Sequence, residues 1–154
     1  MFTYLLPLHS WIRWFVLAAL LVAIVRGYYA WRHKKEYTKT DNALRHWTAT
    51  ILHIQLILGL WLYSISPIVR YFIQNFQEGV RMREIRFFGM EHSLMMLIAV
   101  VVVTIGSAKA KRKSTSAEKF KTMTIWYSIG LLIILSSVPW EFSPLTSRPS
   151  IRYF

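Results

Sequence analysis

The chain has 154 residues, of which 55% are hydrophobic, 16% are aromatic and 17% are charged, and its formal net charge is +12. This apolar composition predicts a membrane protein with a single domain over residues 1–154. The absence of cysteine excludes disulfides, iron–sulfur clusters, covalently attached c-type haem and thiol redox catalysis. The positive charge does not indicate nucleic-acid binding, because the basic residues lie between long apolar runs, where anionic lipid and membrane topology explain them. The expected partner is the lipid bilayer, and no nucleic acid is expected.

Four apolar segments each have roughly the 20 residues that a helix needs to cross the hydrocarbon core of a bilayer. They cover residues 4–28, 47–68, 87–105 and 123–140. They predict an all-α fold, an integral membrane four-helix bundle with up-down-up-down topology. A cleaved signal peptide is the competing interpretation of the first segment. It requires a basic residue before the apolar run and a small-residue cleavage site after it, and neither is visible.

The connections between these segments differ in charge, which predicts their orientation. The first connection and its flanks carry Arg26, Arg32, Lys34, Lys35, Lys39 and Arg45, and the third carries six Lys or Arg between Lys109 and Lys121. The middle connection balances its arginines with Glu78 and Glu84, and residues 1–8 carry no charged side chain. The tail has Glu141, Arg148 and Arg152. Because cytoplasmic loops are rich in Lys and Arg, both termini are expected outside.

The segment from Tyr71 to Arg86, YFIQNFQEGVRMREIR, mixes apolar and charged residues at helical spacing. Such a pattern is typical of a helix that lies in the plane of the membrane interface. We therefore expect a short amphipathic helix at the outer surface, between the second and third spans.

Histidines inside the predicted spans are the main candidates for a site, because an ionisable group in hydrocarbon is costly and marks a site or a buried pair. His9 and His92 each lie about 7 Å inside the outer end of their span, at a rise of about 1.5 Å per residue. Spans 1 and 3 are diagonal neighbours in the predicted bundle, and bundle cofactors are held by side chains from facing helices. The matching depth predicts that His9 and His92 are the two metal ligands of one haem iron. Two unrelated buried histidines are the alternative.

His53 lies near the middle of the second span, about 10 Å deeper than the other two histidines by the same rise per residue. It is therefore not expected to share their iron. Two interpretations stay open, a hydrogen-bonded core histidine and a contact to a quinone or a second cofactor, and Gln55 and Thr50 would support either. His46 at the inner membrane surface and His33 in the basic loop receive no functional role.

Arg13 and Glu91 provide opposite charges beside the predicted site, since Arg13 is one turn from His9 and Glu91 adjoins His92. A haem propionate held away from bulk water needs a cation, and Arg13 would provide it. Glu91 would orient a ligating imidazole through the ring N–H. A structural ion pair between Arg13 and Glu91 is the alternative.

Several stretches of the chain resemble a family of small four-span bacterial membrane proteins labelled cytochrome b-like: HSWIRW, HIQLILGLWLYSISP, RFFGMEHSLMM, VVVTIGSAKAK and KFKTMTIWY. The resemblance covers nearly the whole chain, and its most specific residues are His9, Arg13, His53, Gln55, Glu91 and His92. It implies one b-type haem in the bacterial cytoplasmic (inner) membrane. HIQLILGL also looks like the histidine-containing helices of haem A synthase. The fourth span has no histidine, so the second ligand pair of larger two-haem b cytochromes is missing.

These observations lead to three hypotheses. The first is a one-haem, bis-histidine membrane cytochrome near the outer face, which transfers electrons between quinol and a periplasmic or membrane-bound redox protein and has no substrate of its own. The second is a haem-free accessory or assembly subunit of a larger respiratory membrane complex. The third is a metal site of His9, His92 and Glu91, although no compact motif such as HExxH is present. An oligomer is compatible with all three.

Overall fold

The computed structural model describes residues 1–141 together with Ser143 and Thr146. This part of the chain is helical and contains no β-strand. Four helical stretches are long and apolar enough to cross a membrane: Phe2–Arg32, Lys39–Ile65, Arg83–Arg112 and Ser116–Ser137. The all-α prediction is confirmed, and so is the prediction of four helices of membrane-spanning length. The tail residues Arg148 and Arg152, which contribute to the predicted orientation of the termini, lie outside the described residues.

The helices in chain order are α1 (Phe2–Arg32), α2 (Lys39–Ile65), α3 (Pro67–Gln74), α4 (Phe76–Gly79), α5 (Arg83–Arg86), α6 (His92–Arg112) and α7 (Ser116–Ser137). A π-helical turn, Phe87–Glu91, joins α5 to α6, so the stretch from 83 to 112 is one continuous helix. The sequence predicts one amphipathic helix over residues 71–86, whereas the structure divides this region between α3, α4 and α5. The break between α3 and α4 falls at Asn75, whose backbone leaves the helical region at φ −126° and ψ 53°.

Local sequence signals determine where α2 and α7 begin. Thr38 and Asp41 form a capping box at the start of α2, and Thr115 and Glu118 form another at the start of α7. In each box the threonine hydroxyl accepts a bond from a free backbone N–H of the first turn, and the carboxylate accepts one from the cap residue. Pro67 begins α3 one residue after Ser66, because proline lacks the N–H that an uninterrupted α2 would need.

The four long helices form a ring around a common core. The helix α1 packs against α2 and α7, and α6 packs against the same two helices, so α1 lies opposite α6. Fully buried apolar side chains from α1, α6 and α7 meet at the centre, among them Leu20, Val103 and Tyr127. Large apolar side chains are also exposed on the outward faces, such as Leu21, Ile57, Val101 and Leu132. Outward faces of this kind suit contact with lipid tails.

Two glycines allow a close approach of α6 and α7. A Cβ atom at Gly106 of α6 would clash with Trp126 of α7, and a Cβ atom at Gly130 of α7 would clash with Val103 of α6. Each glycine therefore accepts a large side chain of the other helix. Small residues at such crossings let two backbones approach within van der Waals distance, which is the main attraction between helices in lipid.

The end of the bundle near the basic connections holds a polar network. Arg26 Nε donates to Asp41 Oδ1 at 2.8 Å, which joins α1 to α2. The buried guanidinium of Arg45 donates to the carbonyl and hydroxyl oxygens of Ser107, which joins α2 to α6. The Tyr127 hydroxyl donates to the Arg45 carbonyl at 2.7 Å, which adds α7. This network fixes the four helices relative to one another at the end away from the predicted site.

Candidate functional site

A cavity of about 490 Å³ lies between α1, α2, α3, α6 and α7. Its volume falls within the range of about 300–1,000 Å³ that is usual for sites of small molecules and cofactors. Most of its wall is apolar, from side chains such as Val16, Leu52 and Met96. The polar side chains in the wall are His9, Ser10, Arg13, Gln55, Tyr63, Ser66, His92 and Ser93. An apolar cavity with a few polar groups is the usual form of a ligand site.

His9 and His92 both line this cavity, although they are 83 positions apart in the sequence. His9 belongs to α1 and His92 begins α6, and these two helices lie opposite each other in the ring. Both imidazoles are half-buried. The structure therefore brings two imidazoles to one apolar space from opposite sides of the bundle.

The orientation of the His92 ring is set by a backbone contact. Its Nδ1 lies 2.8 Å from the carbonyl oxygen of Ser137, at the end of α7. A carbonyl oxygen only accepts hydrogen bonds, so Nδ1 carries the proton and donates it, which leaves Nε2 with a free lone pair. The ring also packs against Phe87 and Phe88 of the π-helical turn, with centroids 5.7 and 6.3 Å away. Metal-ligating histidines in proteins commonly donate one ring N–H to a backbone carbonyl in this way.

The His9 ring lies against α2. Gln55 Nε2 donates to the His9 backbone carbonyl at 2.9 Å. One turn further along α2, a Cβ atom at Gly59 would lie 3.2 Å from Cε1 and 3.8 Å from Nδ1 of His9. The absence of a side chain at Gly59 therefore makes room for the imidazole. His9 Nδ1 and Gln55 Oε1 are both buried, and neither has a hydrogen-bond partner within the described part of the chain.

A hydrogen bond from α2 holds the π-helical turn next to His92 in place. The Tyr63 hydroxyl donates to the Gly89 carbonyl at 2.8 Å. Gly89 lies against the Phe72 ring of α3, and a Cβ atom there would clash with that ring. Single π-helical turns within α-helices are frequent at functional sites. Here the side chain that follows is His92.

Arg13 lies on the cavity wall one turn after His9, in an aromatic setting. Its Cζ atom is 5.5 Å from the ring centroid of Trp14 and 5.9 Å from that of Trp140, and these two indoles contact each other edge to face. The Arg13 Nη2 atom lies 3.5 Å from the Ser10 hydroxyl. The cation is thus placed where it can interact with an anionic group on a molecule in the cavity.

Glu91 does not line the cavity. Its carboxylate accepts a bond from Arg86 Nε at 2.6 Å, and Arg86 also donates to the Val80 carbonyl at 2.9 Å. The sequence suggested Arg13 or the His92 ring as partners of Glu91. In the structure, the Glu91 carboxylate pairs with Arg86 instead, and the His92 ring N–H donates to the Ser137 carbonyl.

His53 does not line the cavity either. Its Nε2 lies 2.9 Å from the Thr104 hydroxyl of α6, and that hydroxyl donates to the Val100 carbonyl at 2.7 Å. Because the only proton of Thr104 is used in this way, His53 Nε2 is the donor in the bond between them. His53 thus pairs α2 with α6. Of the two residues that the sequence grouped with it, Gln55 lies at the cavity and Thr50 donates to the His46 carbonyl.

A conventional metal site is not formed in the part of the chain that the structure describes. No group of three or more His, Cys, Asp or Glu side chains there could hold a metal ion. His9 and His92 come together at the cavity without Glu91. Two imidazoles without a carboxylate would suit a metal that a macrocycle already holds, because such a metal would need few ligands from the protein.

Three contributors to the site carry no clear signal in the sequence. Tyr63 contacts the π-helical turn, Ser137 offers only its backbone carbonyl, and Gly59 acts through the absence of a side chain. The pattern HxQxxxG from His53 to Gly59 places Gln55 and Gly59 on one face of α2 by their spacing of four. That spacing is the one clue to the pair, but it does not say which helix they face.

The fold and the site together define a class of protein, a helical bundle of membrane-spanning length whose cavity is lined by two histidines from opposite helices. Comparison with known proteins gives no match to a family model, to a curated protein or to a solved structure.

Proposed function

We propose that the protein is a membrane cytochrome that holds one b-type haem between His9 and His92. The observation that carries the proposal is that these two histidines, from opposite helices, line one mainly apolar cavity of about 490 Å³. The free Nε2 lone pair of His92 supports it, because a neutral imidazole can bind a metal through that nitrogen. When bound, the haem supplies one-electron redox chemistry.

The residues of the chain have distinct tasks in this proposal. His92 lines the cavity and is oriented through the Ser137 carbonyl, so its Nε2 would be the nitrogen that binds the iron. Arg13 neutralises a propionate carboxylate, since a carboxylate in an apolar space needs a charged hydrogen-bond donor. The apolar wall excludes water, and burial of a redox group in this way is one of the means by which proteins adjust its potential.

The proposal includes an orientation and a location. We place four spans in up-down-up-down order in the bacterial cytoplasmic membrane, with both termini and the cavity towards the outer face. The concentration of Lys and Arg in the first and third connections supports this orientation. Quinol within the bilayer is the proposed electron donor, and a periplasmic or membrane-bound redox protein is the proposed acceptor.

A haem-free accessory or assembly subunit of a larger membrane complex is the second candidate. Its support is that several polar groups of the long helices already have partners within the chain. His53 pairs with Thr104, Glu91 pairs with Arg86, and Gln55 donates to the His9 carbonyl. Such bonds stabilise packed helices in lipid without any cofactor.

A spectrum of the purified protein separates the two candidates. The protein is expressed in cells with ample haem, purified in detergent, and measured for the reduced-minus-oxidised absorption difference and for extractable haem. The cytochrome proposal expects one b-type haem per chain with the spectrum of two axial histidines. Protein that is folded and free of haem would overturn that proposal and favour the accessory subunit.

A further inference from the structure

The two proposed ligands differ in how their rings are held. His92 Nδ1 has an acceptor, the Ser137 carbonyl at 2.8 Å, whereas His9 Nδ1 is buried and has none among the described residues. A histidine that binds a metal through Nε2 carries its proton on Nδ1. A buried N–H without an acceptor is unfavourable, and ligating histidines almost always donate this proton to an oxygen. His9 therefore needs an acceptor in the loaded protein.

The wall of α2 that faces His9 contains such an acceptor. Gln55 Oε1 is buried and also lacks a partner in the described chain. The Gln55 amide is already beside His9, because its Nε2 donates to the His9 carbonyl at 2.9 Å. That carbonyl only accepts, so the assignment of the amide nitrogen and oxygen is fixed by the contact itself.

The His9 ring also presents its Nδ1 edge to this same wall. The Cβ position of Gly59 lies 3.8 Å from His9 Nδ1, and Gly59 is four residues after Gln55 on the same face of α2. With no side chain at Gly59, the imidazole has room to turn towards the Gln55 amide. A ring nitrogen of α1 and an amide oxygen of α2, both buried and without a partner among the described residues, thus lie where these two neighbouring helices meet at His9.

We infer that Gln55 is the positioning residue of His9: its Oε1 accepts the Nδ1 proton of His9, which directs Nε2 of His9 into the cavity. This inference rests on the proposed function. One amide group then holds both the backbone and the ring of His9, through Nε2 and Oε1. The two histidine rings are then oriented differently. A backbone carbonyl, which no substitution removes, orients His92. A side chain, which a single substitution removes, orients His9.

Two substitutions separate the acceptor from the donor. Gln55→Leu removes both functions of the amide, whereas Gln55→Glu keeps an acceptor oxygen and removes the N–H that holds the His9 carbonyl. Gln74→Leu makes the same chemical change at an exposed position of α3 and is the matched control. The probe is free imidazole, which competes with His9 for the iron of the haem-loaded protein.

We expect free imidazole to displace His9 in the Gln55→Leu protein at concentrations about 10- to 100-fold lower than in wild type, the usual effect of losing the hydrogen-bond partner of a ligating histidine. Gln55→Glu and Gln74→Leu are expected to stay close to wild type. Equal displacement in the leucine and glutamate variants would overturn the inference, because the amide would then act only through its N–H. A Gln55→Leu protein that resembles wild type would overturn it as well.

A measurement on the wild-type protein keeps the inference testable if Gln55→Leu does not fold. In the reduced, diamagnetic state, proton NMR should show two ring Nδ1 protons that exchange slowly with solvent, one from each ligand. A single slowly exchanging proton would overturn the inference while leaving the haem in place. Wild-type protein without haem would instead overturn the proposed function, and with it the inference.

Discussion

The His92 imidazole donates its Nδ1 proton to the Ser137 carbonyl over 2.8 Å, and this bond joins the start of α6 to the end of α7. Ser137 is the last residue of α7, where carbonyl oxygens lack a partner within the helix. The contact therefore satisfies a free helix-end carbonyl and fixes a histidine at the cavity at the same time.

Replacement of either proposed ligand should remove the low-spin spectrum. In His9→Ala or His92→Ala protein a single imidazole remains, so the sixth position of the iron is open or holds water. The measurement is the absorption and electron paramagnetic resonance spectrum of the purified variants. His92→Ala should also melt at a lower temperature than His9→Ala, because it loses the bond between α6 and α7.

His33→Ala is the matched control for these two variants. The His33 ring contacts the Tyr29 carbonyl and stacks on the Tyr29 ring at the exposed end of α1. Its spectrum should equal that of the wild type. A low-spin spectrum that survives in both ligand variants would contradict the assignment of His9 and His92.

Arg13→Ala should lower the reduction potential and leave both ligands in place. Loss of a positive charge near the site favours the oxidised haem, which is the more positive state. For a separation of about 10 Å and an effective dielectric constant of about 20, the change is about 1 to 2 kcal/mol. A redox titration followed by absorption measures it.

Arg13→Lys tests whether charge is the cause, since lysine keeps the charge and loses the planar guanidinium that stacks near Trp14 and Trp140. Its potential should lie closer to that of the wild type than the potential of Arg13→Ala does. A potential that is unchanged in Arg13→Ala would mean that Arg13 does not act on the iron or on a propionate.

His53→Ala should keep its haem but lose some stability. The substitution removes the bond between His53 and Thr104, which joins α2 to α6 away from the cavity. Interhelical hydrogen bonds in membrane proteins contribute about 0.6 kcal/mol on average and up to about 1.7 kcal/mol. Haem content and thermal unfolding in detergent are the two measurements. Haem loss as large as in His9→Ala would point to His53 as a ligand.

The sequence alone predicts the four long helices, but it does not predict how far each helix is shifted along its neighbours. Apolar length predicted four spans, and the boxes of Thr38 with Asp41 and of Thr115 with Glu118 explain two helix starts from neighbouring residues alone. The contact of Gln55 with His9 depends on how far α2 slides along α1, which nothing within either helix specifies. Depth estimated by counting residues placed His53 well below His9, yet Gln55, two residues later, lies against His9.

The pairing of Glu91 shows why charge complementarity alone did not locate the site. Arg13 lies one turn after His9 and Glu91 adjoins His92 in the sequence, which makes the two opposite charges natural partners. In the structure residues 87–91 form a π-helical turn, whose wider spacing brings residues five apart onto one face. Arg86 is five residues before Glu91, so the nearest cation lies on the same helix.

Tyr127→Phe should destabilise the bundle without changing the haem. The Tyr127 hydroxyl is buried at the opposite end from the cavity and donates to the Arg45 carbonyl at 2.7 Å. Removal of one such bond costs about 1 kcal/mol. The expected result is a lower melting temperature with an unchanged spectrum and potential. A shifted potential would show that the polar network at that end is coupled to the cavity.

Single-cysteine labelling should place the first and third connections in the cytoplasm. The chain has no natural cysteine, so each introduced thiol is read without background. Lys35→Cys and Ser114→Cys lie at exposed positions in the two basic connections. Ser114 is chosen over Ser116 because the Ser116 hydroxyl accepts a hydrogen bond from the Tyr37 N–H. A membrane-impermeant maleimide added outside intact cells should leave both unlabelled, because Lys and Arg concentrate on the cytoplasmic side.

Gln74→Cys in α3 is the matched position on the other side, and the same reagent should label it in intact cells. Disruption of the cells should make all three thiols reactive, which controls for burial. If Lys35→Cys and Ser114→Cys react in intact cells while Gln74→Cys does not, the bundle is inserted the other way. The cavity with His9 and His92 would then open towards the cytoplasm, and its redox partner would have to be sought on that side.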